Sequence, residues 1–365
     1  MLKAVFLVII LLGVCACQAA PSPTLTLTAT LTKAPPAVAI TPAATDTPTA
    51  TSLPVPTPTP GLIHPYTIAG LRQRTYASGK IQVGKALAAT NNYTRYAITY
   101  PSDGLTISGE MQVPSGAGPF PVIVMNHGYY FREAYQPGDG TRLMAEELNR
   151  HGYLTIASDY RGHGSSDEGA SLFQTGFVTD VMHLLKAIPS LPQADPGRIG
   201  VWGHSMGGGI TTKLLTIEPS LRAAVLYAPN SADDGDLIAR WGFGCIPEVN
   251  QLHCNPAEIV PPDLPSELLL AYQETATNPE LLRSVAPYYH LEAIQTPIQI
   301  HIGEADGGPP ETTPPAWSYK LYEALVAAGK PAELFTYPGQ GHSFSGAGRD
   351  LFIGRVVEFF DQYLK

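Results

Sequence analysis

Apolar positions change their spacing twice along this chain. Residues 4–14 form an unbroken apolar run behind Lys3 that ends at Cys15-Ala16-Cys17 and the polar Gln18, and residues 18–60 then lose any apolar periodicity. From residue 96 onward, short apolar runs alternate with segments whose apolar residues recur at helical spacing. Strands are predicted at residues 122–126, 153–158, 199–203, 223–227, 298–302 and 334–337, and helices at 141–150, 177–188, 207–217, 317–328 and 351–363. Short, wholly apolar strands alternating with helices predict a mostly parallel sheet covered on both faces. Ahead of it, residues 96–100 and 105–113, joined at Ser102-Asp103-Gly104, predict an antiparallel hairpin leading into the sheet. One interval, 229–290, breaks the alternation and is rich in Pro, Asp and Leu. An insertion of that length over the carboxyl edge of a sheet has helices of its own and shapes a pocket, so it reads as a cap.

The first sixty residues stand apart. A basic residue, a short apolar run and a small-residue boundary have the layout of a cleavable export signal over 1–17, and the run is too short to span a bilayer comfortably. Val14-Cys15-Ala16-Cys17 resembles the signal of bacterial lipoproteins, which implies a lipidated Cys17 anchoring the chain on the outer face of a membrane; ordinary signal cleavage would leave it secreted. Between residues 18 and 60, Thr, Pro and Ala supply 31 of 43 positions. No core can form from that composition, and the Thr-Pro and Ala-Pro alternation predicts a disordered, extended linker reaching up to ~130 Å at ~3.1 Å per residue. Residues 61–365 then suit one α/β domain.

With 22 Lys plus Arg against 31 Asp plus Glu, a formal charge of -9, nothing favours nucleic acid or an anionic surface. The sequence holds no Walker loop, no dinucleotide glycine fingerprint and no His-Glu-x-x-His string, so no cofactor or metal is implied. Cys245 and Cys254 lie in the cap with eight residues between them, and an exported protein would permit their disulfide. A zinc site there lacks a second pair of ligands.

The chemistry centres on Gly203-His204-Ser205-Met206-Gly207, which directly follows a predicted strand and opens a predicted helix. A nucleophile elbow needs this context: serine on a strained turn, flanked by residues without clashing side chains. A serine hydroxyl is a poor nucleophile without a base in reach, and the base needs a third group to fix its tautomer. His342, in the loop after the strand at 334–337, and Asp306, just past the strand at 298–302, reach the same sheet edge. Asp233, Asp234, Asp236 and Glu304 are the rival acids. Among the other histidines, His127, His163, His204, His290 and His301 fit structural roles. The backbone N–H of Met206 and, after Asn126-His127-Gly128, that of Tyr129 are the candidate oxyanion donors. In the loop Asp159-Tyr160-Arg161-Gly162-His163-Gly164, Arg161 is expected to pair with Asp159 or Asp167 as scaffold.

From about residue 96 to the C-terminus the chain resembles an α/β-hydrolase with a Ser-Asp-His triad. Ser102-Asp103-Gly104-Leu105-Thr106-Ile107-Ser108-Gly109, Pro121-Val122-Ile123-Val124-Met125-Asn126-His127-Gly128 and the Asp159 loop resemble catalytic domains of the prolyl oligopeptidase family, and dienelactone-hydrolase-like esterases are similar. The departures are Met206, where that family commonly has Tyr, and the lack of room for a propeller in residues 18–60. The resemblance implies a serine hydrolase acting through an acyl-serine. Small carboxylic esters are the expected substrates, with short peptides or amides as the alternative. A membrane-anchored binding protein that merely retains a hydrolase fold is a further reading, against which the intact Ser205, Asp306 and His342 speak.

Overall fold

The computed structural model describes residues 61–246, 253–308 and 312–365; the expected export signal over 1–17, with its Cys17, and the expected linker over 18–60 lie outside the described residues. Nine strands form one sheet: β1 (Gln82–Ala89), β2 (Tyr93–Ser102), β3 (Leu105–Pro114), β4 (Phe120–Asn126), β5 (Leu154–Ser158), β6 (Ala194–His204), β7 (Ala223–Tyr227), β8 (Ile298–Gly303) and β9 (Ala332–Tyr337). Their spatial order is β1-β2-β3-β5-β4-β6-β7-β8-β9. Pairings from β1 through β3 to β5 are antiparallel, and every pairing from β5 and β4 to β9 is parallel.

Successive side chains of the parallel strands point to opposite faces, and both faces are buried. Val122, Val124, Val201, Leu226 and Ile300 pack with α3 (Thr175–Ala187), α4 (Met206–Leu215) and α8 (Pro315–Ala327). Their neighbours Ile123, Met125, Trp202 and Val225 pack instead with α2 (Arg142–Arg150) and α9 (Gly346–Leu364). Each strand therefore reads as a continuous apolar run because it feeds two cores. The β2–β3 turn is tight, with Asp103 and Gly104 both at positive φ, as a two-residue hairpin needs.

Two elements near the start of the described chain were not predicted: the helix α1 (Ile68–Gln73) and the strand β1. Strand β1 is an edge strand, exposed at all but one of its positions and carrying Lys85, so it has no apolar alternation to betray it. Residues 229–290 contain α5 (Asp234–Trp241), α6 (Ser266–Thr277) and α7 (Pro279–Leu282). Tyr272, Val260, Leu282 and Val285 build a small core there with Leu172 and Phe173. Cys245 and Cys254 are joined by a disulfide.

Arg161 departs from expectation. Its guanidinium forks onto Asp180 in α3, with Nε at 3.0 Å from Oδ2 and Nη2 at 2.8 Å from Oδ1, while Asp159 accepts from Ser108 and Tyr135 and Asp167 accepts from the Thr106 amide. Both members of the pair are buried, where a planar bidentate bond gains most, and the partner came from a helix that sequence adjacency does not reveal.

Candidate active site

Strand β6 runs directly into α4 through Ser205, whose φ of 57° and ψ of -122° no ordinary side chain adopts without strain. Its flanking glycines are compulsory: a β-carbon on Gly203 would lie 2.2 Å from the Gly207 carbonyl oxygen, and one on Gly207 would lie 2.1 Å from that of Asn126. The Ser205 amide donates to the Tyr227 carbonyl at 3.0 Å and its carbonyl accepts from the Asn230 amide at 3.0 Å, pinning the turn to the end of β7.

The ends of β8 and β9 bring two more groups to this point. Ser205 Oγ lies 2.9 Å from His342 Nε2, and His342 Nδ1 lies 2.9 Å from Asp306 Oδ2. A hydroxyl that donates to Nε2 requires the proton on Nδ1, and the carboxylate accepts it. Burial pushes the Asp306 pKa up, but hydrogen bonds from His342, from Thr312 (2.6 Å) and from the Gly307 amide (2.7 Å) outweigh it and hold the carboxyl below its usual range. Asp306 therefore stays ionised. Thr313 Oγ1 stands 3.0 Å from Asp306 Oδ2, 3.0 Å from the Ala228 carbonyl and 3.2 Å from His342 Nδ1. Neither threonine was singled out in the sequence; both lie in a Pro-flanked loop with no motif of its own.

The rival acids are engaged elsewhere. Asp233 caps α5 through the Gly235 amide and shares Lys320 with Asp236, and Asp234 is buried against Lys213. Glu304 makes no bond to His342, whose partner is Asp306. His204 is partly buried: burial drives its pKa down to about 3, and its neutral ring stacks on Tyr227 and donates from Nε2 to the His342 carbonyl at 3.0 Å. His127, likewise held near 3 by burial, stacks between Tyr135 and Tyr160. His301 spans Tyr337 and Gln299 inside the sheet.

The loop after β4 passes close to the serine, so that a β-carbon on Gly128 would lie 3.1 Å from Ser205 Cβ. Tyr129 follows it. Met206 opens α4, where helix geometry leaves the first amides without intrahelical acceptors. Tyr129, Met206, Ser205 and His342 line one cavity of about 400 Å³, together with Trp241 and Pro256. A wider groove of about 810 Å³ adjoins it, sharing Tyr129 and Pro256. Among the described residues there is no cluster of His, Cys, Asp or Glu able to hold a metal ion.

The chain matches a family model described as serine aminopeptidase, S33, over residues 120–272, and the model of the prolyl oligopeptidase family over residues 266–365. It is 28% identical over 140 residues to esterase FrsA of Yersinia pestis, a stretch covering 38% of this chain and 32% of that protein, so it spans about a third of the length of the curated relatives it matches. Acetyl xylan esterase 1 from Thermoanaerobacterium sp. superposes with a TM-score of 0.56 at 17% identity, covering 83% of this chain and 95% of its own. An acylaminoacyl peptidase from Pyrococcus horikoshii superposes with a TM-score of 0.57 at 20% identity, covering 75% of this chain and 42% of its own.

Proposed function

We propose that this chain, a serine hydrolase of α/β-hydrolase fold, cleaves carboxylic esters through an acyl-serine intermediate. The observation that carries the reading is the continuous relay from Asp306 through His342 to Ser205, with 2.9 Å at each step, opening onto a cavity. Ser205 Oγ attacks the ester carbonyl carbon while His342 Nε2 takes its proton, and Asp306 holds the imidazole in the accepting tautomer and offsets the imidazolium charge. The tetrahedral oxyanion accepts hydrogen bonds from the Met206 and Tyr129 amides, each such donor being worth ~2.7–4 kcal/mol of barrier. The carbonyl re-forms as His342 returns the proton to the departing alkoxide. Water then repeats the sequence on the acyl-serine, freeing the acid and Ser205.

Ester substrates are supported by the esterase relative and the acetyl xylan esterase neighbour. A second reading, hydrolysis of short peptides or amides, is supported by the two peptidase family models and the acylaminoacyl peptidase neighbour. Export is part of the proposal, with attachment through a lipidated Cys17. It is supported by the apolar run at 4–14 and by the Cys245–Cys254 disulfide, since such bonds persist in oxidising compartments. Replacing Cys17 with Ala should move the expressed protein from the membrane fraction to the soluble one; unchanged membrane retention would remove the anchor from the proposal.

The test of function uses the full chain on p-nitrophenyl esters and on aminoacyl p-nitroanilides. Ester turnover is expected, and Ser205→Ala should lower it by on the order of 10⁶-fold. Faster turnover of anilides than of esters would transfer the assignment to the peptidase reading, and turnover indifferent to Ser205 would reject both.

A further inference from the structure

Just before α3, Phe173 and Gln174 have φ of 51° and 59°, two consecutive non-glycine residues in the left-handed region. Each β-carbon there crowds the following carbonyl, and such residues persist only where the surroundings over-determine them. Phe173 is clamped on both sides of its backbone. Its amide donates to Glu258 Oε2 at 3.1 Å and its carbonyl accepts from Lys213 Nζ at 2.7 Å. Lys213 pairs with Asp234 at 3.3 Å, and Glu258 also accepts from the Tyr272 hydroxyl, whose oxygen takes the Gly244 amide at 2.8 Å. All of Lys213, Asp234, Glu258 and Tyr272 are buried.

An ammonium and two carboxyl groups have thus been withdrawn from water to hold one peptide in a disfavoured conformation. Well-packed apolar residues in place of buried ions are often neutral or stabilising, so stability does not account for the cluster. What the clamp presents is the next side chain. Gln174 is 5% exposed and forms part of the cavity wall that holds Ser205 and His342. Its Oε1 lies 3.5 Å from Asn230 Nδ2, the Asn230 amide in turn bonding the Ser205 carbonyl. Gln174 Nε2 donates to no acceptor among the described residues, and the side chain lines the cavity beside Ser205 and His342.

We propose that Gln174 is a specificity-determining residue whose Nε2 donates to an oxygen of the substrate, a hydroxyl, ether or carbonyl beside the scissile ester, and that Lys213, Asp234 and Glu258 are its positioning residues. The substrate class is therefore an oxygenated ester, not a simple alkyl one. This rests on the ester-hydrolase reading. A donor at a fixed place rewards a substrate that satisfies it and penalises one that leaves it unpaired.

The experiment compares two matched pairs on the full chain by pH-stat. Ethyl 3-hydroxybutyrate against ethyl 3-methylbutyrate exchanges hydroxyl for methyl on the acyl side, and 2-hydroxyethyl butyrate against propyl butyrate does so on the alcohol side. Wild type should favour the oxygenated member of one pair by about 10-fold or more in kcat/KM, and the pair that responds identifies which side Gln174 reads. Gln174→Leu should abolish that preference, lowering kcat/KM for the oxygenated member at least about 10-fold more than for the apolar one. Gln174→Met, similar in length and volume but without the donor, should do the same and guards against misfolding of the Leu variant. Lys213→Met should raise KM for the oxygenated member more than it lowers kcat. No preference in wild type for either pair, or equal loss on both members in the Gln174 variants, overturns the proposal. Absence of Ser205-dependent turnover on all four esters fails the hydrolase reading itself, and this proposal with it.

Discussion

Thr313 carries one hydroxyl proton and has two oxygens in reach, Asp306 Oδ2 and the Ala228 carbonyl, each at 3.0 Å. Donated to Asp306, it fixes the side of the carboxylate that faces His342. A hydrogen bond to an ionised group contributes ~1.5–3 kcal/mol, of which only the part realised as His342 becomes positive reaches the barrier. Thr313→Val should therefore lower kcat about 10-fold with KM nearly unchanged, and the acidic limb of the kcat–pH profile is expected to move; an unaltered profile would make the hydroxyl merely structural. Ser205, Asp306 and His342 were legible in the sequence because each directly follows a run of apolar strand residues, and chemistry at strand ends needs only that placement. Gln174 and Thr313 were not legible. Their roles come from a backbone conformation and from a loop packed against the Ala228 carbonyl, and neither leaves a spacing to read. The buried Lys213 and Glu258 were hidden for a different reason: charged residues are ordinarily assigned to the surface, and burial is tolerable here only because Lys213 is paired with Asp234 and the Phe173 carbonyl while Glu258 accepts from the Phe173 amide and the Tyr272 hydroxyl.

Among the elements, α4 is disfavoured by local propensity, since Gly207, Gly208 and Gly209 follow Met206 in its first turn. Packing explains the sequence. A β-carbon on Gly208 would lie 2.6 Å from Pro229 Cβ, and one on Gly209 would lie 1.6 Å from Asn230 Oδ1, so the helix gives up propensity to approach the end of β7 closely. Helices like α2 and α9, amphipathic against the sheet, were found by their spacing, whereas β1 was missed because an exposed edge has no apolar face. Within the interval read as a cap, α7 is a single turn that depends on its cap residue: Asn278 Oδ1 accepts from the Glu280 and Leu281 amides. Asn278→Ala should cost about 1 kcal/mol in denaturant unfolding. Thermal or urea melts showing no loss would mean that the turn is held by the tertiary packing of Leu282 alone.

At the scale of the molecule, buried titratable groups pull stability in opposite directions with pH. Burial lowers the His127 and His204 pKa values to about 3, so between there and their ordinary value of 6.5 the unfolded chain holds more protons, and stability rises with pH across that window. Burial raises Asp234 to about 6 and Glu258 to about 7, so between their ordinary values and these the folded chain holds more protons, and stability falls as pH rises. The contributions separate by substitution. Glu258→Gln removes one falling component, so the difference in unfolding free energy between variant and wild type should shift toward the variant by on the order of 2 kcal/mol from pH 5 to pH 8. A difference independent of pH would show that Glu258 titrates alike in the folded and unfolded chain. The two-faced sheet was legible because its central parallel strands are largely apolar runs, while this set of buried charges emerges only from the three-dimensional packing of α4 against the residues around Glu258.

The bond between Cys245 and Cys254 has a consequence for wear. A protease that cuts the chain once between those positions does not sever it, because the two new ends remain joined through sulfur. Such a nicked molecule runs as one species on a gel without reductant and as two with it, and its walls around Ser205 stay covalently in place until a thiol arrives. Under the proposed export, durability would then be set by the redox state of the surroundings as much as by the number of cleavable bonds.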